Sequence, residues 1–497
     1  MPQNIWNARN RGTQPAPVSS IRLLPGICIV ALMLAGCAVG PNFKPPEASL
    51  PAQWAGADPS GQGPISSVNG SEPVMLEEWW KNFDDETLNR LIGKAIQSNL
   101  DIQQATSRIR EARALGGVGG AALWPAVDSS ASYTHSETGE NSASSSKSKG
   151  TKTDLFAAGL DASWELDIFG GQRRNVEALE ADLLAAVEDR RDVLVTLVSE
   201  VGINYANLRG YQEQIAIAKK NLESQNRSAD ITRRRFEAGY VSAFDNASAK
   251  AQAATTAARI PTLEASARQA IYNLGVLLGE EPTALVQELQ VVQPIPLTPP
   301  YVPVGLPSEL LQRRPDIRRA EAQVHAATAR VGVATADLFP KFYLTGALGF
   351  SGDDLASAAR WSSRAWSLGP SVQWPIFDAG KIRWNIEAKN AIEEQALLTY
   401  RQAILTALKD VETALMSYAR EQERHELLKE AVAQNRKAVE VAMELYTAGQ
   451  SDFLTVLTAQ LSLYSSEDSL TQSTSNIALD LVALYKALGG GWSEAGH

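Results

Sequence analysis

The chain has 497 residues, 44% of them hydrophobic, and a formal net charge of −10. That acidity argues against a nucleic-acid partner, and two Cys with four scattered His (His135, His325, His425, His497) give neither a disulfide framework nor a metal-ligand spacing. No HExxH, GxSxG or P-loop pattern occurs, so the expectation is a non-enzyme with no catalytic residue and no metal.

In chain order, residues 1–36 read as a cleaved signal peptide. Arg9, Arg11 and Arg22 form a basic leader, and Ile27 to Leu34 is an apolar run too short to span a bilayer. The run ends in Leu34-Ala35-Gly36-Cys37, the pattern of a bacterial lipobox. Cys37 is therefore the expected lipidation site, and its covalent N-terminal lipid the sole prosthetic group. Ala38 follows it, not the Asp that retains such proteins in the inner membrane, which favours the outer membrane. Losing the leader takes the net charge to −13. No stretch after Cys37 is apolar and long enough for a transmembrane helix. A protein with this address crosses its bilayer only as a β-barrel.

Residues 37–87 form a lipid-anchored N-terminal segment. Two repeats follow, 88–280 and 308–489, joined by a Pro-rich linker, 281–307, that is expected to be extended; 490–497 is a tail. Trp164 pairs with Trp374, Gly170 with Gly380, Gly239 with Gly449 and Gly279 with Gly489, each 210 residues on. Upstream, Asp101-Ile102 pairs with Asp316-Ile317 at an offset of 215. Each repeat reads as helix, β-hairpin, long helix, turn, helix. The first helices are expected from Leu88 to Ala122 and from Ser308 to Asp337. The hairpins lie at about 126–168 and 341–377.

Three of the four strands alternate strictly. Phe156, Leu160, Trp164 and Leu166 oppose Asp161, Ser163 and Glu165; Leu344, Leu348 and Phe350 oppose Tyr343 and Thr345; Trp366, Leu368, Val372 and Trp374 oppose Ser367, Ser371 and Gln373. Near Val127 to Ser136 the alternation is weaker. A soluble half-buried hairpin alternates in the same way, but with the lipobox the pattern points to transmembrane strands. Trp164, Trp366 and Trp374 are then a lipid-facing aromatic belt, and the polar loops Glu137 to Thr153 and Gly352 to Ala365 an extracellular rim. No Pro interrupts Gly171 to Gly239 or Gly380 to Gly449. At 1.5 Å per residue each span reaches roughly 100 Å, a rod on the scale of a periplasmic tunnel rather than a bundle of shorter helices.

Four strands leave two open edges, which lipid does not tolerate, so the chain must oligomerise.

Several motifs resemble one family. Leu34-Ala35-Gly36-Cys37-Ala38-Val39-Gly40-Pro41-Asn42-Phe43, Trp164-Glu165-Leu166-Asp167-Ile168-Phe169-Gly170-Gly171, Arg313-Arg314-Pro315-Asp316-Ile317 and Trp374-Pro375-Ile376-Phe377-Asp378-Ala379-Gly380 are similar to NodT/OprM-type outer-membrane factors of the TolC-like superfamily. The resemblance implies a mixed α plus transmembrane β-barrel fold. Three copies, four strands each, would form a twelve-stranded barrel continued by a long helical periplasmic tunnel. It implies a passive exit duct for drugs or other small molecules, lipid-anchored in the bacterial outer membrane and reaching into the periplasm. Its partners would be a periplasmic adaptor and an inner-membrane pump of the resistance-nodulation-division type.

The resemblance also places the adaptor at two turns, Ala238-Gly239-Tyr240 and Ala448-Gly449-Gln450, where Gly suits a helix reversal. Aperture residues would follow the second turn. Thr455 and Thr458 stand where unlipidated family members have an Asp ring, with Asp245, Tyr446 and Asp452 nearby. Two other readings stand beside this one: a type I protein-secretion duct, and a pore-less lipid-anchored coiled-coil scaffold.

Overall fold

The computed structural model describes residues 38–48, 50–55, 76–137, 152–296, 298 and 307–493. Cys37 and the leader lie outside the described residues, as does most of the first rim loop. The chain forms two compact units. One holds Ala121–Arg174 and Gly332–Trp384 with the chain up to Gly40; the other holds Pro41–Gly120, Asn175–Val331 and the chain from Asn385.

The first unit is built on an antiparallel sheet of β1 (Ala126–Glu137), β2 (Lys152–Leu166), β3 (Lys341–Gly352) and β4 (Arg364–Gln373), in that spatial order. Register sorts the side chains. The rows Val127–Ala162–Gly346–Leu368, Ser129–Leu160–Leu348–Trp366 and Ala131–Ala158–Phe350–Arg364 share one face. Asp128–Asp161–Ala347–Ser367 and Ser130–Gly159–Gly349–Ala365 share the other. One face is thus dominated by large apolar groups and the other by small and polar ones. The weakly alternating first strand pairs along its whole length, because its partner β2 supplies the register that its own sequence specifies poorly. Among the described residues, β1 and β4 each have one edge with no strand beside it.

The helices are α1 (Glu86–Ser98), α2 (Leu100–Ala121), α3 (Gly171–Glu237), α4 (Ala243–Leu277), α5 (Pro315–Ala336), α6 (Lys381–Thr447) and α7 (Phe453–Ala487). The duplication is met element for element. α3 and α6 have 67 residues each, α4 and α7 have 35, and α2 and α5 have 22.

The single helix expected from Leu88 to Ala122 is in fact two. Asn99 is extended (φ −60, ψ 135), and its Oδ1 accepts from the N–H groups of Asp101 (2.8 Å) and Ile102 (3.1 Å), capping α2. Its Nδ2 donates to the carbonyl of Leu277, the last residue of α4 (2.9 Å). The stretch from Ser308 breaks at the matching residue, Arg314 (φ −82, ψ 116), because Pro315 disfavours a helical predecessor. The Arg314 Nη1 donates to the carbonyl of Ala487, the last residue of α7 (3.0 Å), while its other nitrogens hold Asp316 (3.0 and 2.7 Å). Each joint is closed by a left-handed glycine. A Cβ on Gly279 (φ +68) would sit 2.6 Å from the Ser98 carbonyl oxygen, and one on Gly489 (φ +76) 2.9 Å from that of Arg313.

The linker also departs from expectation. It is not extended throughout, since Val286–Leu289 is a helical turn. Leu285 and Leu289, one turn apart, are buried at 3% and 0% exposure, which offsets the cost of nucleating so short a helix. The tail begins as packed chain. Gly491 N–H donates to Leu76 O (2.8 Å), and the Trp492 ring lies under the Arg191 and Arg318 guanidinium groups (4.4 and 5.3 Å). The core centres on Trp79, which is fully buried and stacked on Tyr485 at 5.2 Å.

Close helix approach is set by Gly210 on α3, where an added Cβ would collide with Ser475 Oγ on α7. Gly210→Ala is expected to destabilise the protein by about 1–3 kcal/mol through overpacking. Ser475→Gly in the same chain should recover most of the loss in a thermal melt. An unchanged melt for Gly210→Ala would mean that the two helices part there freely.

Candidate functional site

Three regions carry functional geometry. The first is the seat of the N-terminal segment. Val39 N–H donates to Phe169 O (3.1 Å), and Arg174 Nε donates to Val39 O (3.3 Å). The chain fits there because side chains are missing. A Cβ on Gly170 (φ +79) would lie 2.6 Å from Ala38 Cα, and one on Gly40 (φ +90) 2.5 Å from Gly332 Cα. Ala38 is thereby fixed beside the turn that follows β2.

The second region is the apolar face of the sheet. Trp164 and Trp366 lie on it by register, and Trp366 is 72% exposed. Trp374 does not belong to the strand alternation as expected, since β4 ends at Gln373 and Pro375 cannot continue a ladder. It is held instead by its indole N–H, which donates to Leu338 O at 3.0 Å; the Trp164 indole donates to Leu123 O at the same distance. The two are repeat equivalents, at the end of the sheet that leads to the helices. Trp366 is eight residues from Trp374, about 26 Å along an extended chain. The three Trp therefore mark two levels rather than one belt, separated by about the 25 Å height of a barrel's apolar band.

The third region is the pair of turns joining α3 to α4 and α6 to α7. Gly239 (φ +78) and Gly449 (φ +75) take the left-handed conformation that closes a helix end. Tyr240 N–H donates back to Arg235 O (2.8 Å) and Gln450 N–H to Leu445 O (2.9 Å), the same closure twice. Nothing lies within 4 Å of where a Cβ would stand on either glycine, so both tips are open. Around them Phe236, Tyr240, Phe244, Leu445 and Leu454 are exposed apolar side chains.

Between the turns Arg235 ties one hairpin to the other. Its Nη1 and Nη2 donate to the carbonyls of Tyr446 (2.7 Å) and Thr447 (3.2 Å), and it covers the Tyr446 ring at 4.4 Å. These carbonyls are the negative end of α6. No sequence motif marked Arg235, because its partners are main-chain atoms 211 and 212 residues away.

The residues expected near an aperture have other tasks here. Tyr446 is 2% exposed and packs on Phe453 (5.6 Å), inside a small core with Ala249, Ala442 and Val456. Asp245 closes a capping box with Ser242, bonding its N–H (3.0 Å) and Oγ (2.8 Å). Asp452 caps α7, accepting from Thr455 Oγ1 (2.8 Å) and Thr455 N–H (3.0 Å). The hydroxyl bond first, and the N–H bond after it, hold the Asp452 carboxyl below the usual carboxylate range. Thr458 Oγ1 donates to Leu454 O (2.8 Å). Asp452, Thr455 and Thr458 remain exposed, whereas Tyr446 is buried and borders a cavity of about 720 Å³ between the turns.

Comparison with known proteins agrees with this arrangement. The chain matches the outer membrane efflux protein family over residues 91–280 and 306–490. It is 33% identical over 468 residues to the pyoverdine export outer membrane protein OpmQ of Pseudomonas aeruginosa, covering 93% of this chain and 96% of that one. It is 32% identical over 464 residues to nodulation protein T of Rhizobium leguminosarum bv. trifolii, covering 93% and 96%. Among solved structures, the outer-membrane channel OprN superposes with a TM-score of 0.86 at 36% identity, covering 92% of this chain and all of that one. The Campylobacter jejuni CmeC outer membrane channel superposes with 0.86 at 25%, covering 93% and 96%. The molecule shares the mixed barrel-and-helix fold of these channels; it resides in the outer membrane and is not an enzyme. The chain belongs to the outer membrane efflux protein family.

Proposed function

We propose that three copies of this efflux channel close into one twelve-stranded barrel, each β4 pairing with the β1 of the next copy, to form the exit duct of a tripartite pump. The observation that carries this reading is the sheet, with one apolar face, one polar face and two open edges. In hydrocarbon the open edges must pair, and in a closed ring the polar face lines the lumen. Cys37 carries the acyl anchor, supported by the built seat at Ala38 to Gly40. A periplasmic adaptor docks on Ala238-Gly239-Tyr240 and Ala448-Gly449-Gln450, supported by two open tips ringed with exposed apolar side chains. The inner-membrane partner is a resistance-nodulation-division pump. The cargo is small organic molecules, in line with relatives named for pyoverdine export and toluene efflux. Opening moves the second hairpin, so the Arg235 ties to Tyr446 and Thr447 break, and the exposed polar groups of Asp452, Thr455 and Thr458 are its narrowest neighbours.

Three outcomes are expected. A cysteine at Ser130 combined with one at Ser367 or Ser371 should give a covalent trimer under oxidation. The unmodified protein should conduct in a planar bilayer; a monomer that does not conduct would end the barrel reading.

Gly449→Asn, which tolerates the left-handed turn, should keep adaptor crosslinking and efflux. Gly449→Trp should abolish both while trimer and conductance persist. Normal pumping by Gly449→Trp would move the docking surface elsewhere.

Palmitate should label the wild type and not Cys37→Ser; equal label in both removes the anchor.

A further inference from the structure

At the loop end of the sheet a cavity of about 550 Å³ opens on the apolar face. Its walls are Tyr133, Phe156, Ala158 and Phe350 of the strands, with Leu355 and Ala358 of the loop after β3. The loop is built rather than draped. Asp354 and Ser357 cap each other around the turn Leu355–Ala358, Ser363 Oγ donates to Ser357 O (2.7 Å), and the Ser357 hydroxyl occupies the place a side chain on Gly352 would need. The volume is that of a small-molecule pocket. The apolar parity of its strand residues puts it on the side away from the polar face, so it does not lie on an export path.

The rim is basic on the β4 side. Arg364 is the cross-strand partner of Phe350, and its guanidinium lies 4.8 Å from the Trp361 ring, which is 6.1 Å from Phe350. Arg360, which follows the lining residues Ala358 and Ala359, is exposed. Neither arginine meets a carboxylate among the described residues. The acids nearby already have partners among the described residues: Asp154 is held by Tyr133 OH and His135 Nδ1, each at 2.7 Å, Asp353 and Asp354 accept from Ser357 at 2.9 and 2.8 Å, and Glu137 faces Lys152. Arg364 Nη1 donates to the Trp361 carbonyl (3.0 Å), which leaves its remaining N–H groups for a ligand. An apolar slot flanked by two guanidinium groups without carboxylate partners complements a molecule that has an alkyl chain at one end and a phosphate at the other.

We infer that this groove takes one acyl chain of a phosphorylated outer-leaflet lipid, with the lipid phosphate on Arg360 and Arg364. The inference rests on the barrel reading, which turns this face towards lipid and the loops towards the outer leaflet.

The test is native mass spectrometry of the trimer extracted from outer membranes in mild detergent, with bilayer conductance as a separate readout of the barrel. The wild type should retain a phosphorylated, acylated lipid. Arg360→Glu with Arg364→Glu should lower retention about tenfold or more, the equivalent of one charge-assisted hydrogen bond. Ala358→Trp, which fills the slot, should lower it as well, and both variants should conduct like the wild type. Full retention in either variant overturns the proposal, as does a cysteine at Ala358 that crosslinks to the neighbouring copy, since protein then fills the groove. A wild type that does not conduct overturns the barrel reading and this inference together.

Discussion

Hydrocarbon contains no hydrogen-bond partner, so a backbone N–H or C=O left unpaired in it costs several kcal/mol. A sheet of four strands with an open edge on β1 and another on β4 cannot satisfy that condition alone. Ring closure with identical copies removes both edges at once and leaves only the choice of which face turns inward. The side chains make that choice. A face holding Leu160, Leu348, Trp366 and Leu368 belongs against acyl chains, and one holding Asp128, Asp161, Ser367 and Ser371 belongs against water. The rest of the chain can then be long and polar because it has no bilayer to cross; none of the described helices is long and apolar enough to do so.

The duplicated helices depend on two joints. In each half a break residue interrupts the incoming helix and donates to the last carbonyl of the returning one. The link is Asn99 to Leu277 in the first half and Arg314 to Ala487 in the second. A left-handed glycine, Gly279 or Gly489, lets the chains approach. With the joints matched and the helices equal in length, Gly239 and Gly449 fall at the same distance along their repeats. The two tips therefore present a partner with paired turns of the same closure.

Much of this could be read from the residues, since period and offset survive without an alignment. The four strands, their faces, the two helices of 67 residues and the glycine turns all follow from alternation, from the absence of Pro and from the 210-residue offset. What escaped was decided by contacts between segments distant in sequence. Asn99 looks like an ordinary polar residue in an Ala-rich helix until Leu277 supplies an acceptor. The place of Tyr446 beside a turn did not reveal that its ring packs on Phe453 and under Arg235. The caps made by Asp245 and Asp452 are local instead, and they too escaped. Both follow the rule that an acid or hydroxyl at the first turn of a helix satisfies its free N–H groups, a rule that was visible in Ser242-to-Asp245 and Asp452-to-Thr455 spacing. The helical turn at Val286–Leu289 was hidden by the surrounding prolines.

The two joints have different freedom to change over generations. Asn99 works through a neutral amide, and a small polar side chain with a donor and an acceptor serves in the same way. Arg314 holds Asp316 at 2.7 Å and Asp410 at 3.5 Å from an 11% exposed guanidinium. A single step away from arginine leaves a half-buried Asp316 without its counter-ion, which costs more than the pair itself contributes. The first joint can drift one substitution at a time, whereas the second must change in concert or stay. Duplicate halves built to one plan thus tolerate substitution unequally, and the Arg-Pro-Asp segment is the less tolerant of the two joints.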